Sequence, residues 1–451
     1  MRFLACLVLL SLTSPPIMAQ QSSQERKSWP GLNSYLSDLV KAQQQARQQA
    51  QQAANAATPQ KKDLTLADAV DLFLQQNLEI VAGRFDIETA DAEKLTARLR
   101  PNPELSASFD NLPLDFSGPF FSEQEIAYGV SQTFELGGKR RKRINAANAN
   151  AELARASFQV TMWKLTDDLK RKFYVAVLAS DLLRLANENQ KTFEEILKHT
   201  TEQFRQGEIS GLDLRRLEVE KLKFDTDVAN SRRDYEVALR DFRLVFGGDY
   251  RSMDVAPAGT LDYKAYGFVL ADLRDKSLAS RPDLRAARIS ELAADSSIKL
   301  QDAQRIPDLN VGVGLKRIVV DNLYSFALGI TLPVFDRNQG ERVKALIQKK
   351  RAQNDQKILT NLVLSDVEKA LASFESQKSR VELYRTGVLT KVEEIQNLTD
   401  FSFKAGEGTV LDLLDAIRTR RETLASYYQA LFDYETSLLD LELATATPLQ
   451  K

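Results

Sequence analysis

Two carboxylates three residues apart, Asp412 and Asp415, and five successive cations, Lys139, Arg140, Arg141, Lys142 and Arg143, are the charged patterns from which chemistry could start. Spacing of three puts both acids on one helix face, where they can attract cations or simply be solvated. Five cations at the start of a helix oppose its macrodipole, so something must offset them. The more familiar chemistries find no support. With one His, His199, and one Cys, Cys6, in 451 residues, neither a multi-ligand zinc site nor a His-based triad can be assembled. Gly137-Gly138-Lys139 lacks the two-Gly frame and the Ser/Thr of a phosphate loop. The balance of 61 Lys+Arg against 62 Asp+Glu gives no global attraction to nucleic acid. The expectation is a protein that is not an enzyme, with no catalytic residue, no metal site, no cofactor and no nucleic-acid partner.

The elements that hold these residues begin with an export signal. Arg2 precedes an apolar run over residues 3–12, and Ala19 offers a small residue at the cut, the layout of a secretory signal peptide. Cys6 lies inside it, so the mature chain carries neither a disulfide nor a lipid-bearing cysteine. No later apolar run is long enough for a transmembrane helix. Residues 20–62 read as a polar leader, with seven Gln and five Ala between Lys41 and Asn55. Beyond it, Thr65 and Asp68 form a capping box ahead of a helical face.

Internal comparison then organises the chain. Phe204-Arg205-Gln206-Gly207-Glu208 recurs as Phe403-Lys404-Ala405-Gly406-Glu407, and Leu212-Asp213-Leu214 as Leu411-Asp412-Leu413, each 199 residues on. Pro103-Glu104-Leu105 recurs as Pro307-Asp308-Leu309, 204 residues on. Such ordered self-similarity indicates duplication. The expected division is a signal peptide at 1–19, the leader at 20–62, a first repeat at 63–250, a linker at 251–267, a second repeat at 268–445 and a tail at 446–451.

Each repeat combines long helices with two strands. Residues 140–204 contain no Pro or Gly and keep apolar positions three and four apart from Ile144 to Phe173, which predicts a helix on the order of 100 Å long. Residues 340–404, interrupted only by Gly387, predict a second of similar reach. The strands alternate cleanly. Large apolar residues, among them Phe109, Tyr128, Val130, Val311, Val313, Phe326, Leu328 and Ile330, interleave with small or polar ones. At about 9–11 residues per strand this suits a tilted membrane crossing, with those residues facing lipid. A half-buried soluble sheet on a periplasmic coiled-coil scaffold gives the same alternation and stays open as the alternative. Membrane strands cannot leave unpaired edges in lipid, and the smallest closed barrels have about eight strands. Four strands per chain must therefore be shared, two chains giving eight and three giving twelve.

These features, with Gln132-Thr133-Phe134-Glu135-Leu136-Gly137-Gly138-Lys139-Arg140 after the second strand and Leu332-Pro333-Val334-Phe335-Asp336-Arg337-Asn338-Gln339-Gly340 after the fourth, resemble the TolC family of outer-membrane efflux channels. They look most like its heavy-metal branch, which serves resistance-nodulation-division pumps. The resemblance spans residues 64–444. It implies a mainly helical homotrimer in the outer membrane, with a 12-stranded β-barrel set on a 12-helix periplasmic barrel. It also implies a passive exit duct for heavy-metal cations delivered by an inner-membrane pump and a periplasmic adaptor. A drug or secretion duct of the same family is the other reading it allows. Carried over by residue, the turns with Gly207, Glu208, Leu212, Asp213, Gly406, Glu407, Gly408 and Leu411 become the periplasmic tip that meets the adaptor. Asp412 and Asp415 become the pore constriction. The family's basic latch residue falls at Gly408, a departure from its pattern. Lys139, Arg140, Arg141, Lys142 and Arg143 would then sit at the membrane rim, facing lipid phosphates or a neighbouring protomer's acids. Phe116, Phe120 and Phe121 would pack at the barrel mouth.

Overall fold

Thr65 opens the first helix as the sequence predicts: its hydroxyl accepts from the Asp68 N–H at 3.2 Å, and the Asp68 carboxylate accepts from the Thr65 hydroxyl at 2.7 Å. From there a computed structural model describes residues 62–110, 125–247, 253–318 and 321–449. The signal peptide, all but the last residue of the leader and the loop with Phe116, Phe120 and Phe121 lie outside them. All described residues fall in one unit, Lys61–Lys451.

The helices are α1 (Leu66–Gln76), α2 (Leu78–Arg98), α3 (Lys139–Gln206), α4 (Gly211–Leu244), α5 (Leu270–Ser280), α6 (Pro282–Gln304), α7 (Gln339–Leu383), α8 (Leu389–Lys404) and α9 (Val410–Thr445). Strands β2 (Glu104–Asp110), β3 (Glu125–Phe134), β5 (Leu309–Ile318) and β6 (Asp321–Ile330) form one antiparallel sheet in the order β2-β3-β5-β6. Two three-residue strands, β1 (Lys62–Leu64) and β4 (Val255–Pro257), pair in parallel. They join the end of the leader to the linker, a contact that sequence periodicity is too coarse to predict.

Helix α3 runs unbroken for 68 residues. Its counterpart corrects the sequence reading, because residues 340–404 are not one α-helix. A π-turn over Tyr384–Val388 divides them, with the Leu389 N–H donating to the Tyr384 carbonyl. Gly387 sits inside it and contributes little intrinsic helix preference. The fourth strand ends at Ile330, two residues before Leu332.

The helices form four parallel columns. Asn77 Nδ2 donates to the Val245 carbonyl at 2.6 Å, so the start of α2 meets the end of α4 and the two stack end to end against α3. Arg281 Nη1 reaches the Ala444 carbonyl at 3.5 Å, and α6 likewise stacks on α9 between α3 and α7. The column order is α2/α4, α3, α6/α9 and α7–π-turn–α8. Where the columns change partners lies the main core, with Phe73, Phe173, Phe242, Phe246, Phe374 and Tyr434 buried. A smaller core of Phe193, Leu217, Phe224, Phe403, Val410 and Leu413 holds the far ends, Phe193 stacking on Phe224 at 4.6 Å.

Candidate functional site

The sheet sorts its side chains by face. In register, Leu105 lies opposite Val130, Val130 opposite Val313, and Val313 opposite Phe326. Phe109, Tyr128, Val311, Leu328 and Ile330 share that face by the two-residue period. The other face carries Ser106, Gly129, Gly312, Gly314 and Ala327, with a Lys316–Glu125 ion pair. Phe326 is 82% and Leu328 77% exposed in the single chain, while Val311 is half-buried. Among the described residues no helix is long and apolar enough to cross a membrane.

At the base of the sheet three of the five cations find partners that the sequence does not reveal. Arg140 Nε donates to the Arg98 carbonyl at 2.8 Å, and Arg143 donates to the Ala97 and Leu99 carbonyls at 3.2 and 2.8 Å while pairing with Glu135. Lys139 pairs with Asp308 at 2.7 Å. The negative end of α2 and two carboxylates thus offset the cations that crowd the start of α3. In the single chain the contacts of Lys139, Arg140 and Arg143 are thus to neighbouring backbone carbonyls and carboxylates. Arg141 and Lys142 have no such contact to the end of α2, and Arg141 is exposed.

At the opposite end both tips are built alike. Gly207 and Gly406, with φ of 81° and 78°, end their helices in left-handed turns. Glu208 N–H donates to the Gln203 carbonyl and Glu407 N–H to the Ser402 carbonyl, both at 3.0 Å. Ser210 caps α4 through the Asp213 N–H at 3.2 Å; Thr409 caps α9 through the Asp412 N–H at 3.2 Å. The Asp412 carboxylate accepts from the Thr409 hydroxyl at 2.6 Å, and these bonds hold its carboxyl below the ordinary value. At Gly408 a Cβ would lie 3.0 Å from the Phe403 nitrogen, so the turn leaves little room for a side chain there.

Between the turns is a cleft of about 680 Å³ that brings together Glu208, Asp213, Gly406, Gly408 and Leu411. It does not include Gly207, Leu212, Glu407, Asp412 or Asp415. Asp412 and Asp415 are exposed, outside that cleft. His199, also exposed, lines a separate groove with Glu195, Glu202 and Asp400 between α3 and α8. Sequence reasoning missed the pairs that tie the hairpins together. Arg421 meets Asp227 at 2.9 Å and lies over the Phe224 ring at 5.4 Å, while Arg418 approaches the buried Glu220 at 3.8 Å. The available signal was a charged Glu220 set between the core positions Leu217 and Phe224.

Known proteins resemble this arrangement. The cobalt-zinc-cadmium resistance protein CzcC of Cupriavidus metallidurans is 26% identical over 373 residues, covering 82% of this chain and 86% of that protein. The nickel and cobalt resistance protein CnrC of the same organism is 24% identical over 272 residues, 59% of this chain and 64% of that one. A crystal structure of CusC superposes with a TM-score of 0.71 at 17% identity, over 85% of this chain and 92% of that chain. The outer membrane efflux protein family model matches residues 69–248 and 273–447, most of both helical hairpins and all four strands of the sheet, and the chain belongs to that family.

Proposed function

We propose that three copies of the chain close into a passive exit duct through the outer membrane. Heavy-metal cations would reach it from an inner-membrane pump of the resistance-nodulation-division type through a periplasmic adaptor. The observation that carries this reading is a pair of open edges. The four-stranded sheet ends in β2 on one side and β6 on the other, and the four columns end in α2/α4 and α7–π-turn–α8 on the same two sides. An open edge cannot face lipid, and head-to-tail repetition of one chain closes sheet and helices together. Three copies of four strands give twelve, enough for an aqueous lumen. The apolar sheet face then meets lipid and the small, polar face lines the lumen.

The charge of the tips supports a cation path. At the first tip Asp213 pairs with Arg216 at 3.1 Å. At the second, Asp415 stands 199 residues on from Arg216, so Asp412 and Asp415 form an acidic pair. Repeated around three copies at a narrow opening, these acids attract cations and resist anions. The cleft between the turns faces the adaptor. Cobalt, zinc, cadmium and nickel come from the names of the relatives, and the acidic tip fits such cargo.

The test combines two measurements on the full chain. In planar bilayers, Asp412→Asn with Asp415→Asn should raise the relative anion conductance and weaken block by polyvalent cations; unchanged selectivity removes the constriction assignment. In cells relying on this channel, deletion should sensitise growth to cobalt, zinc or cadmium. Sensitivity to organic compounds alone would favour a drug duct.

A further inference from the structure

The open sheet edges can be matched residue by residue, because the chain already contains one copy of the seam. Within the first hairpin Leu105 pairs with Val130; within the second Leu309 pairs with Ile330. A shift of 204 residues on the leading strand and 200 on the following one therefore carries one hairpin onto the other. Between the hairpins, β3 pairs with β5 so that Val130 faces Val313 and Gln132 faces Val311. The same shifts turn Val130 into Ile330, Gln132 into Leu332, Val313 into Phe109 and Val311 into Ala107.

We propose that β6 of one chain pairs antiparallel with β2 of a second copy, Ile330 opposite Phe109 and Leu332 opposite Ala107. This rests on the closed-ring reading above and adds its register. Among the described residues neither outer edge has a strand partner. Leu332 is 72% exposed just past the end of β6, and pairing would extend that strand by two residues to Pro333, which has no N–H to continue a ladder. The register keeps large apolar residues together on one face, whereas a slip of one residue would set them against the small, polar face. Slips of two residues preserve the faces but break equivalence with the β3–β5 seam, where the same local packing is already in place.

Cysteine pairs distinguish these registers, and the only native cysteine, Cys6, falls in the expected signal peptide. Residues directly opposite lie about 4.5–5.5 Å apart, within disulfide reach, while diagonal neighbours at about 7–8 Å lie beyond it. Oxidised Ala107→Cys/Leu332→Cys chains, made as full-length protein in the outer membrane, should give a ladder on non-reducing gels that ends at the ring size. Phe109→Cys/Ile330→Cys reads the same register independently, should either variant fail to assemble. Cross-linking instead through Leu105→Cys/Leu332→Cys or Phe109→Cys/Leu332→Cys overturns the register, as does loss of all ladders while native mass spectrometry still finds the oligomer. A parent protein found as single chains by native mass overturns the ring as well.

Discussion

In the first half β3 is an inner strand, α3 is continuous, and the junction between them is filled: Ile306 lies against Gly137, and Asp308 accepts from the Leu136 N–H at 3.1 Å. In the second half the same plan is left open. Strand β6 is an edge, Phe335 in its junction to α7 is 94% exposed, and the following long helix is broken by a π-turn. Equivalent sites differ in burial as well. Glu236, exposed on α4, lies 3.5 Å from Arg240, whereas Glu435, 199 residues on, is mostly buried against α3. The difference separates what the repeat needs in order to fold from what one half does for the assembly. Caps, Gly turns, strand alternation and one unpaired outer strand are shared; the exposed junction, the acidic tip and the π-turn belong to the second half.

The largest effect should come from the sheet, and it can break the comparison. Arg placed at Leu328 on β6 or at its equivalent Tyr128 on β3 should cost about 2–4 kcal/mol near the centre of a bilayer and abolish assembly at both sites. Tolerance at Leu328 with loss at Tyr128, read from the oligomer extracted in mild detergent, would mean that the two halves do not share one membrane environment. The junctions should respond unequally. A Cβ at Gly137 would lie 2.5 Å from Ile306 Cδ1, at a φ of 67°. Gly137→Ala should therefore cost about 2–3 kcal/mol through overpacking and backbone strain. At the corresponding place in the second half, Arg337→Ala should stay within about 0.5 kcal/mol in the separated chain. Denaturant midpoints compare the two.

Much of this was readable in the residues because it depends on local patterns. The long helices follow from runs without Gly or Pro, the sheet faces from a two-residue period, and the tip from two recurring Gly turns. What escaped depends on distant partners. The cations at 139–143 predict that something offsets them but not that Arg140 and Arg143 hold the end of α2. Three residues of β1 carry no periodicity, and their pairing with Val255–Pro257 joins positions nearly 200 residues apart. The acidic pair at the second tip is plain in the sequence, while the capping bonds of Asp412 show that one of its acids also serves the fold.

Burial supplies the next contrast. Glu435 is pushed from 4.5 up to about 7, mainly by burial and against the hydrogen bond from Tyr174; Lys264 on the linker also lowers it, while Glu442 and Asp262 raise it. In acid both the folded and the unfolded chain hold this proton. As pH rises through about 4.5 the unfolded chain releases it first, so stability falls until about pH 7, where the folded carboxyl ionises too. The loss should be roughly 3 kcal/mol. Glu435→Gln should remove that decline and be the more stable protein at pH 8. Denaturant midpoints of the parent and the variant at pH 5 and pH 8 test this, and an equal decline in both would show that burial at Glu435 is not the cause.

The smallest effect concerns the two long helices. Only one contains a π-turn, and that turn is held by its neighbours: Arg385 lies over the Tyr263 ring at 4.9 Å, Tyr384 meets Tyr427 at 6.0 Å, and the Tyr263 hydroxyl donates to Glu382 at 2.5 Å. Gly387 has open space where a Cβ would go and no left-handed φ, so alanine fits without strain. Gly387→Ala should then stabilise the helix by about 0.5–1 kcal/mol through helix propensity alone. Before substitution, amides over 380–395 should exchange with deuterium faster than those over 180–195 in the unbroken α3. Alanine should narrow that gap without moving the tip. Equal exchange in the parent protein would mean that the packing of Tyr263 and Tyr427 makes the π-turn as rigid as the continuous helix, and the second half would then owe any mobility to its open edge alone.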